Sequence, residues 1–188
     1  MASTETRLID AVAFLVRGQS EGARREELIG GQIVVNQPRA RHQIVALRLA
    51  AALANWSSAA PGRGLASMHL ALRLSDWDVL APDLLWYADT ARLSVDASVQ
   101  LEMPDLAIEI RSPSTWVRDV GVKRRLYGEH GARELWLVDS FAPAVLVYRR
   151  SGPRSRHFDV EVELGADDTL GSPAMPGLAI PVRELLTV

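Results

Sequence analysis

Pro104-Asp105-Leu106-Ala107-Ile108-Glu109-Ile110-Arg111-Ser112-Pro113-Ser114 is the stretch on which the reading of this chain turns. Leu106 to Ile110 is a short apolar run of the kind found in strands buried on both faces, entered through a Pro-Asp pair. Glu109 interrupts it, and an ionised carboxylate inside such a strand is costly unless it is paired or bound to metal. A structural salt bridge to Arg111 or to Lys123 is the alternative. Ser114 reads as the N-cap of a helix running to about His130, with Gly131 as its stop. On that helix Asp119, Lys123 and Tyr127 are spaced by four residues and share a face, so that Lys123 is placed toward the sheet. If exposed, Asp119 and Lys123 would instead be an ordinary helix ion pair worth about 0.3–0.5 kcal/mol.

Lys123 is the sole lysine of a chain that carries twenty arginines. Arginine replaces lysine wherever a solvated positive charge suffices, but it cannot mimic a compact ammonium beside a phosphate or one whose pKa shifts on desolvation. The bland reading is a chance surface lysine.

Outward from this centre, residues 4 to 17 place Leu8, Ile9, Val12 and Leu15 at helical spacing, ending at Gly18. Glu27-Leu28-Ile29 and Gln32 to Val35 read as a strand pair turning on Gly30-Gly31. Arg41 to about Trp56 is the main buried helix, closed by the Pro61-Gly62 loop. Leu65 to Leu74 and Val79 to Tyr87 form a hairpin around Ser75-Asp76-Trp77-Asp78, and a polar connection leads on to Leu106. Glu134 to Asp139 and Ala144 to Tyr148 are two further strands, and Asp159 to Leu164 alternates as an edge strand. Gly171 to Pro181 is a Pro/Gly-rich tail before a helical turn at Val182 to Leu186. Strands flanked by helices predict an α/β fold, a mixed sheet with helices packed on it. We expect one domain over residues 1–188, with an N-terminal helix and hairpin (1–37) and a tail at 171–188.

Composition narrows the chemistry. There is no cysteine among the 188 residues, so any metal is held by oxygen or imidazole and no thiol nucleophile exists. The N-terminus has acidic residues where a signal peptide needs a basic start, and no apolar run is long enough for a bilayer; a cytoplasmic protein without a membrane partner is the expectation. A net charge of −2 excludes a broadly basic coat, yet arginines pair at 24/25, 39/41, 124/125, 149/150 and 154/156. Such pairs are solvated edges or parts of a local basic groove.

Asp83, in Pro82-Asp83, is either a turn-capping aspartate or, through hairpin-like pairing, a partner of Glu109 on one sheet face. His42 reads either as approaching a phosphate or carboxylate or as a structural histidine. Trp116 is a candidate stacking residue beside the site, Trp77 a hairpin cap or oligomer contact, and Trp136 core. Ser112 and Ser114 precede no catalytic-base pattern, which argues against a serine hydrolase.

Glu27-Leu28-Ile29-x-Gly31, His42, Pro82-Asp83-Leu84, the long run from Pro104 to Ser114, then Asp119, Lys123, Tyr127, Gly131 and Glu134-x-Trp136-x-Val138-Asp139 together resemble the Uma family of putative restriction endonucleases, within the PD-(D/E)XK nuclease superfamily. The resemblance covers about Glu27 to Tyr148. It implies a restriction-endonuclease-like core and a metal-dependent nuclease site. The superfamily's Pro-Asp aspartate falls on Asp83 and its second acid on Glu109. The usual lysine position, two residues later, is Arg111; superfamily members can supply the lysine from the neighbouring helix, where Lys123 lies. Glu27 corresponds to an N-terminal acid that often completes such sites, while Gly30 and Gln32 stand where further acids often occur.

Asp83, Glu109 and the Ile110 carbonyl, the last as the superfamily suggests, then suit Mg²⁺ or Mn²⁺. Lys123 orients or deprotonates water or stabilises phosphate charge, Arg111 holds a phosphate oxygen, and Tyr127 either hydrogen-bonds in the site or packs in the core. The resulting expectation is a metal-dependent endonuclease acting on DNA, with a homodimer as a natural arrangement for cutting two strands. The rival is a catalytically idle nuclease-fold protein that binds nucleic acid or a protein partner. A self-associating scaffold built on Trp77 and the apolar tail is a third reading.

Overall fold

The structure, a computed structural model, describes residues 8–17, 25–112 and 116–188. Its centre is the predicted apolar strand. β8 (Leu106–Ile110) is buried along its whole length, pairing in parallel with β9 (Glu134–Asp139) and antiparallel with β6 (Leu84–Tyr87). Adding β3 (Leu65–Met68), β10 (Ala144–Arg149) and β11 (Val160–Leu164) completes a six-stranded sheet in the order β11-β10-β9-β8-β6-β3.

Strand alternation sorts the side chains into two cores. Leu106, Ile108, Ile110, Trp136 and Val138 pack with Val45, Leu49 and Leu53 of α2 (Ala40–Ser58) and with Val182 and Leu185 of α5 (Val182–Leu186). Ala107, Leu135 and Leu137 point the other way, toward Leu126 and Tyr127 of α4 (Arg124–Glu129). Glu109, in step with Ala107, falls on this second face.

β1 (Arg25–Ile29) and β2 (Gln32–Asn36) form the expected hairpin, with Gly30 and Gly31 at φ +56° and +75°, the positive-φ pair that a tight hairpin turn requires. They join β5 (Val79–Leu80), β4 (Ala71–Arg73) and β7 (Val99–Gln100) in a five-stranded sheet ordered β2-β1-β5-β4-β7. The two long strands expected around Ser75–Asp78 are each broken in two. Their outer halves, β3 and β6, lie in the large sheet, and their inner halves, β4 and β5, in the small one. His69 takes a left-handed φ of 59°, and Pro82 has no N–H for a ladder, so the hairpin bends there and changes sheets. Asp83 sits on that bend.

Other expectations need correction. In the described part of the first helix, α1 spans Ala11–Val16 and starts on Asp10, whose side chain accepts from the Ala13 amide; Leu8 and Ile9 precede it, and Val12 is exposed. The helix cap expected at Ser114 lies outside the described residues. The helix itself has three parts: α3 (Trp116–Arg118), a π-helical turn over Asp119–Lys123, and α4. The connection before Leu106 contains β7, and the tail is ordered as a hairpin, β12 (Thr169–Ser172) with β13 (Met175–Pro181). Leu170, Met175 and Ile180 close the core over α2, so the apolar tail is interior rather than a free adhesive surface. Trp77 remains half exposed and Trp136 is fully buried.

Candidate active site

Glu109 is held where both sheets and the helix after β8 converge. Extending the β6–β8 register by one pair sets Asp83 opposite Glu109, on the same face. Because β6 starts only at Leu84, the Ile110 amide finds the Asp83 carboxylate instead of a ladder carbonyl: it donates to Oδ2 at 2.7 Å. The same oxygen lies 3.0 Å from His42 Nε2. His42, left open in the sequence, is thus buried against a candidate ligand.

Lys123 supplies the centre of charge. Its Nζ is 2.9 Å from Glu27 Oε1, 2.9 Å from Glu109 Oε1 and 3.3 Å from Asp119 Oδ1. Lys123 is 1 % exposed, and the three acids between 0 and 4 %. Three carboxylates thus surround the ammonium, Glu27 and Glu109 at hydrogen-bond distance and Asp119 as a longer ion pair. Tyr127 donates to Glu109 Oε1 at 2.7 Å, Ala81 N–H to Glu27 Oε1 at 2.9 Å, and Asn36 Nδ2 to Glu27 Oε2 at 3.0 Å. Asn36 is diagonal to Glu27 across the hairpin, two places past its partner Val34.

The π turn aligns this column. In a regular α-helix two steps of four residues rotate the face by roughly 80°. A wider π turn rotates the first step the opposite way, which keeps Asp119, Lys123 and Tyr127 nearly in line. The sequence showed the spacing but not the π turn, nor the burial that makes Asp119 part of a network rather than of an exposed ion pair.

One ammonium faces three buried carboxylates, with Asp83 close by. Burial pushes the Glu109 carboxyl well above the ordinary carboxylate range; Lys123 opposes this, while Glu27, Asp119 and Asp83 add to it. Burial by itself would lower the Lys123 pKa, but Glu109, Glu27 and Asp119 carry it well above its usual value, and the ammonium stays charged. Burial, then Glu109 and Glu27, hold the Tyr127 phenol neutral.

These groups open on a small polar cavity lined by Asn36, Pro38, His42, Ala81, Asp83, Glu109, Ile110, Ser112 and Lys123. About 20 Å³ of it admits water, room for one water or ion. Of the candidates from the sequence, Glu27, Glu109, Lys123 and Tyr127 form one network, and Asp83 and Ile110 share its cavity. Arg111 does not join them. It turns to Asp139, Nη1 to Oδ2 2.6 Å, between the rings of Trp116 and Phe141. Asn36 was missed, and only the diagonal hairpin register would have pointed to it.

A mixed sheet bearing two acids on one face beneath a helix with a buried lysine is the architecture of a nuclease-type fold. The chain superposes on the crystal structure of a putative nuclease belonging to DUF820 from Anabaena variabilis ATCC 29413 with a TM-score of 0.77, covering 95% of this chain and 97% of that one at 22% identity. The family model described as "Uma2: Putative restriction endonuclease" matches residues 14–183, and the chain belongs to that family. No curated protein is significantly similar to it. No helix among the described residues is long and apolar enough to cross a membrane.

Proposed function

We propose that this protein is a metal-dependent endonuclease that hydrolyses phosphodiester bonds of DNA at the Asp83–Glu109–Lys123 cavity. The observation that carries the reading is the buried excess of carboxylate over ammonium at a cavity of single-ion size. Buried negative charge of this kind is relieved by a proton or by a cation.

The donors suit Mg²⁺ or Mn²⁺. Among the described residues no group of three or more His, Cys, Asp or Glu is arranged to hold a metal, but Mg²⁺ needs only one or two carboxylates, the remaining positions being water and substrate phosphate. Asp83, Glu109 and the Ile110 carbonyl would hold it. When bound, such an ion polarises the phosphoryl oxygen and makes water more acidic.

The protein's own groups do the rest. Lys123, kept as an ammonium, acts as a hydrogen-bond donor and positive charge rather than as a base. Glu27 and Glu109 make its closest contacts and Asp119 a longer ion pair; Glu109 is the one of the three at the cavity wall, so its turning away would open the ammonium to a phosphate or water. Tyr127 fixes the Glu109 carboxylate, and Asn36 with the Ala81 amide fixes Glu27. His42 orients Asp83.

The test is nicking of supercoiled plasmid by the purified chain with Mg²⁺, Mn²⁺ or chelator, alongside Glu109→Gln, with metal binding followed by calorimetry. Metal-dependent nicking lost in the variant supports the reading. Metal binding without nicking of any DNA form would overturn it.

The same ion-paired Lys123 network favours a second reading, an idle nuclease fold that binds nucleic acid or a protein partner. In that case no divalent cation binds at millimolar concentration, and replacing Glu109 and Lys123 together by apolar residues leaves DNA binding intact.

A further inference from the structure

We propose that the cleft between the start of α2 and the turn after β9 is a second, metal-independent site that grips a backbone phosphate of the nucleic-acid strand, next to the phosphate presented to the acidic cavity. The inference rests on the nucleic-acid reading above and assigns the part of the surface that holds the strand.

The cleft has a volume of about 200 Å³ and is lined by Arg39, Arg41, His42, Arg111, Ser112 and Phe141. His42 and Ser112 also line the acidic cavity, so the two are neighbours. Their charges are opposite. Three guanidiniums face the cleft, and the carboxylate bound to them is Asp139, on Arg111.

Arg39 is exposed and has no ion pair among the described residues. Arg41 touches the Ser140 carbonyl oxygen and a main-chain oxygen of Val188 at 3.5 Å each, the outer limit of a hydrogen bond. Both guanidiniums are therefore available to a ligand.

The backbone points the same way. α2 is 19 residues long and its N-cap, Arg39, offers no side-chain acceptor to the amides of the first turn. First-turn amides at the positive end of a long helix favour an anion.

Two buried polar side-chain atoms at the cleft add to the helix amides. His42 is 6 % exposed and, among the described residues, neither its Nδ1 nor the buried Arg111 Nε has a partner; Arg111 Nε–H is a donor for a phosphate oxygen, while His42 Nδ1, with Nε2 on Asp83, accepts from a water beside it. Such atoms are rare in native interiors unless something binds there. Arg111 itself is fixed between the rings of Trp116 and Phe141, at 5.3 and 5.4 Å. Asp139 Oδ1 accepts from the Phe141 and Ala142 amides, which fixes the turn and leaves Phe141 52 % exposed at the rim. That ring is a platform for a sugar or base beside the held phosphate. The cleft suits a phosphate with its sugar better than a whole drug-sized ligand.

The experiment is fluorescence anisotropy of a labelled duplex oligonucleotide with the full chain, in chelator, between 50 and 200 mM salt. It compares wild type, Arg39→Ala/Arg41→Ala, and Arg125→Ala, which removes an exposed arginine of α4 paired with Glu129. The cleft predicts roughly tenfold weaker binding for the double variant, a salt slope lower by about 1, and no change for Arg125→Ala. Unchanged urea midpoints establish that the variants are folded. Equal binding by all three proteins, or no wild-type binding in chelator, overturns the cleft. Plasmid nicking is scored separately: nicking with equal oligonucleotide affinities removes the cleft alone, whereas cleft-dependent binding with no nicking in Mg²⁺ or Mn²⁺ removes the hydrolytic reading alone.

Discussion

Replacing Lys123 by methionine removes the ammonium from the centre of the site and keeps most of its volume. In the wild type Nζ lies within 3.3 Å of Glu27, Glu109 and Asp119, all buried. Removing one partner of a buried pair leaves an uncompensated charge and costs about 3–5 kcal/mol. Against a typical stability of about 5–15 kcal/mol this is a large fraction. With a urea m-value of about 2–3 kcal/mol/M, the unfolding midpoint falls by about 1–2.5 M at pH 8.

The pH dependence has a definite sign. Without Lys123 nothing opposes the burial and neighbouring carboxylates that push the Glu109 carboxyl upward. A carboxyl raised above its unfolded value contributes stability below the unfolded pKa, about 4.3 for Glu, and loses it as pH rises through the folded value. The gap between variant and wild type is therefore small near pH 4.5 and widens toward pH 8. Adding Glu109→Gln to Lys123→Met recovers part of the loss, since one stranded carboxylate is gone. Urea unfolding followed by tryptophan fluorescence at the two pH values decides the matter. A loss below about 1 kcal/mol at pH 8, the range of an exposed pair, would refute the buried-network reasoning, as would an equal loss at both pH values.

Two other outcomes follow from the structure. All three tyrosines stay neutral beyond their ordinary range while the chain is folded: burial first of all pushes Tyr87 to about 12 and raises Tyr127 and Tyr148. Tyrosinate absorbance should thus lag behind free tyrosine above pH 10 and rise together with unfolding, because stability present below the unfolded pKa is lost as pH climbs through the folded one; ordinary titration near pH 10 in folded protein would contradict this. Gly64→Ala should lower thermal stability by at least about 2 kcal/mol, because Gly64 has φ +72° and an added Cβ would lie 2.1 Å from the Tyr87 carbonyl oxygen. A melting curve that matches wild type would show that this approach relaxes freely.

Much was legible locally. Leu106–Ile110 announced a strand buried on both sides, and Glu109 marked the position within it where burial and charge conflict. Gly30-Gly31 dictated the hairpin turn, and the spacing of Asp119, Lys123 and Tyr127 put them on one face. Other features depended on contacts distant in the chain. The tail looked irregular because Pro and Gly dominate it, yet pairing of Leu170 with Ile180 makes it a hairpin that covers the core. The long hairpin looked continuous because His69 and Pro82 bend it only in the context of two sheets. Arg111 occupied a lysine position in the motif, but Asp139, at the end of the adjacent strand, captured its guanidinium.

Sequence by itself determined which residues are candidates for the chemistry and on which elements they sit, because strand and helix periodicities are properties of a few neighbouring side chains. Only the tertiary structure decided how they meet. It brought Glu27 from one sheet, Glu109 from the other and Lys123 from the helix between β8 and β9 into one buried cluster, and it set the arginines of α2 beside the cavity. Burial turns an ordinary set of acids and one lysine into a candidate site, since the energetic consequence of a charge depends on what surrounds it in space rather than on its place along the chain.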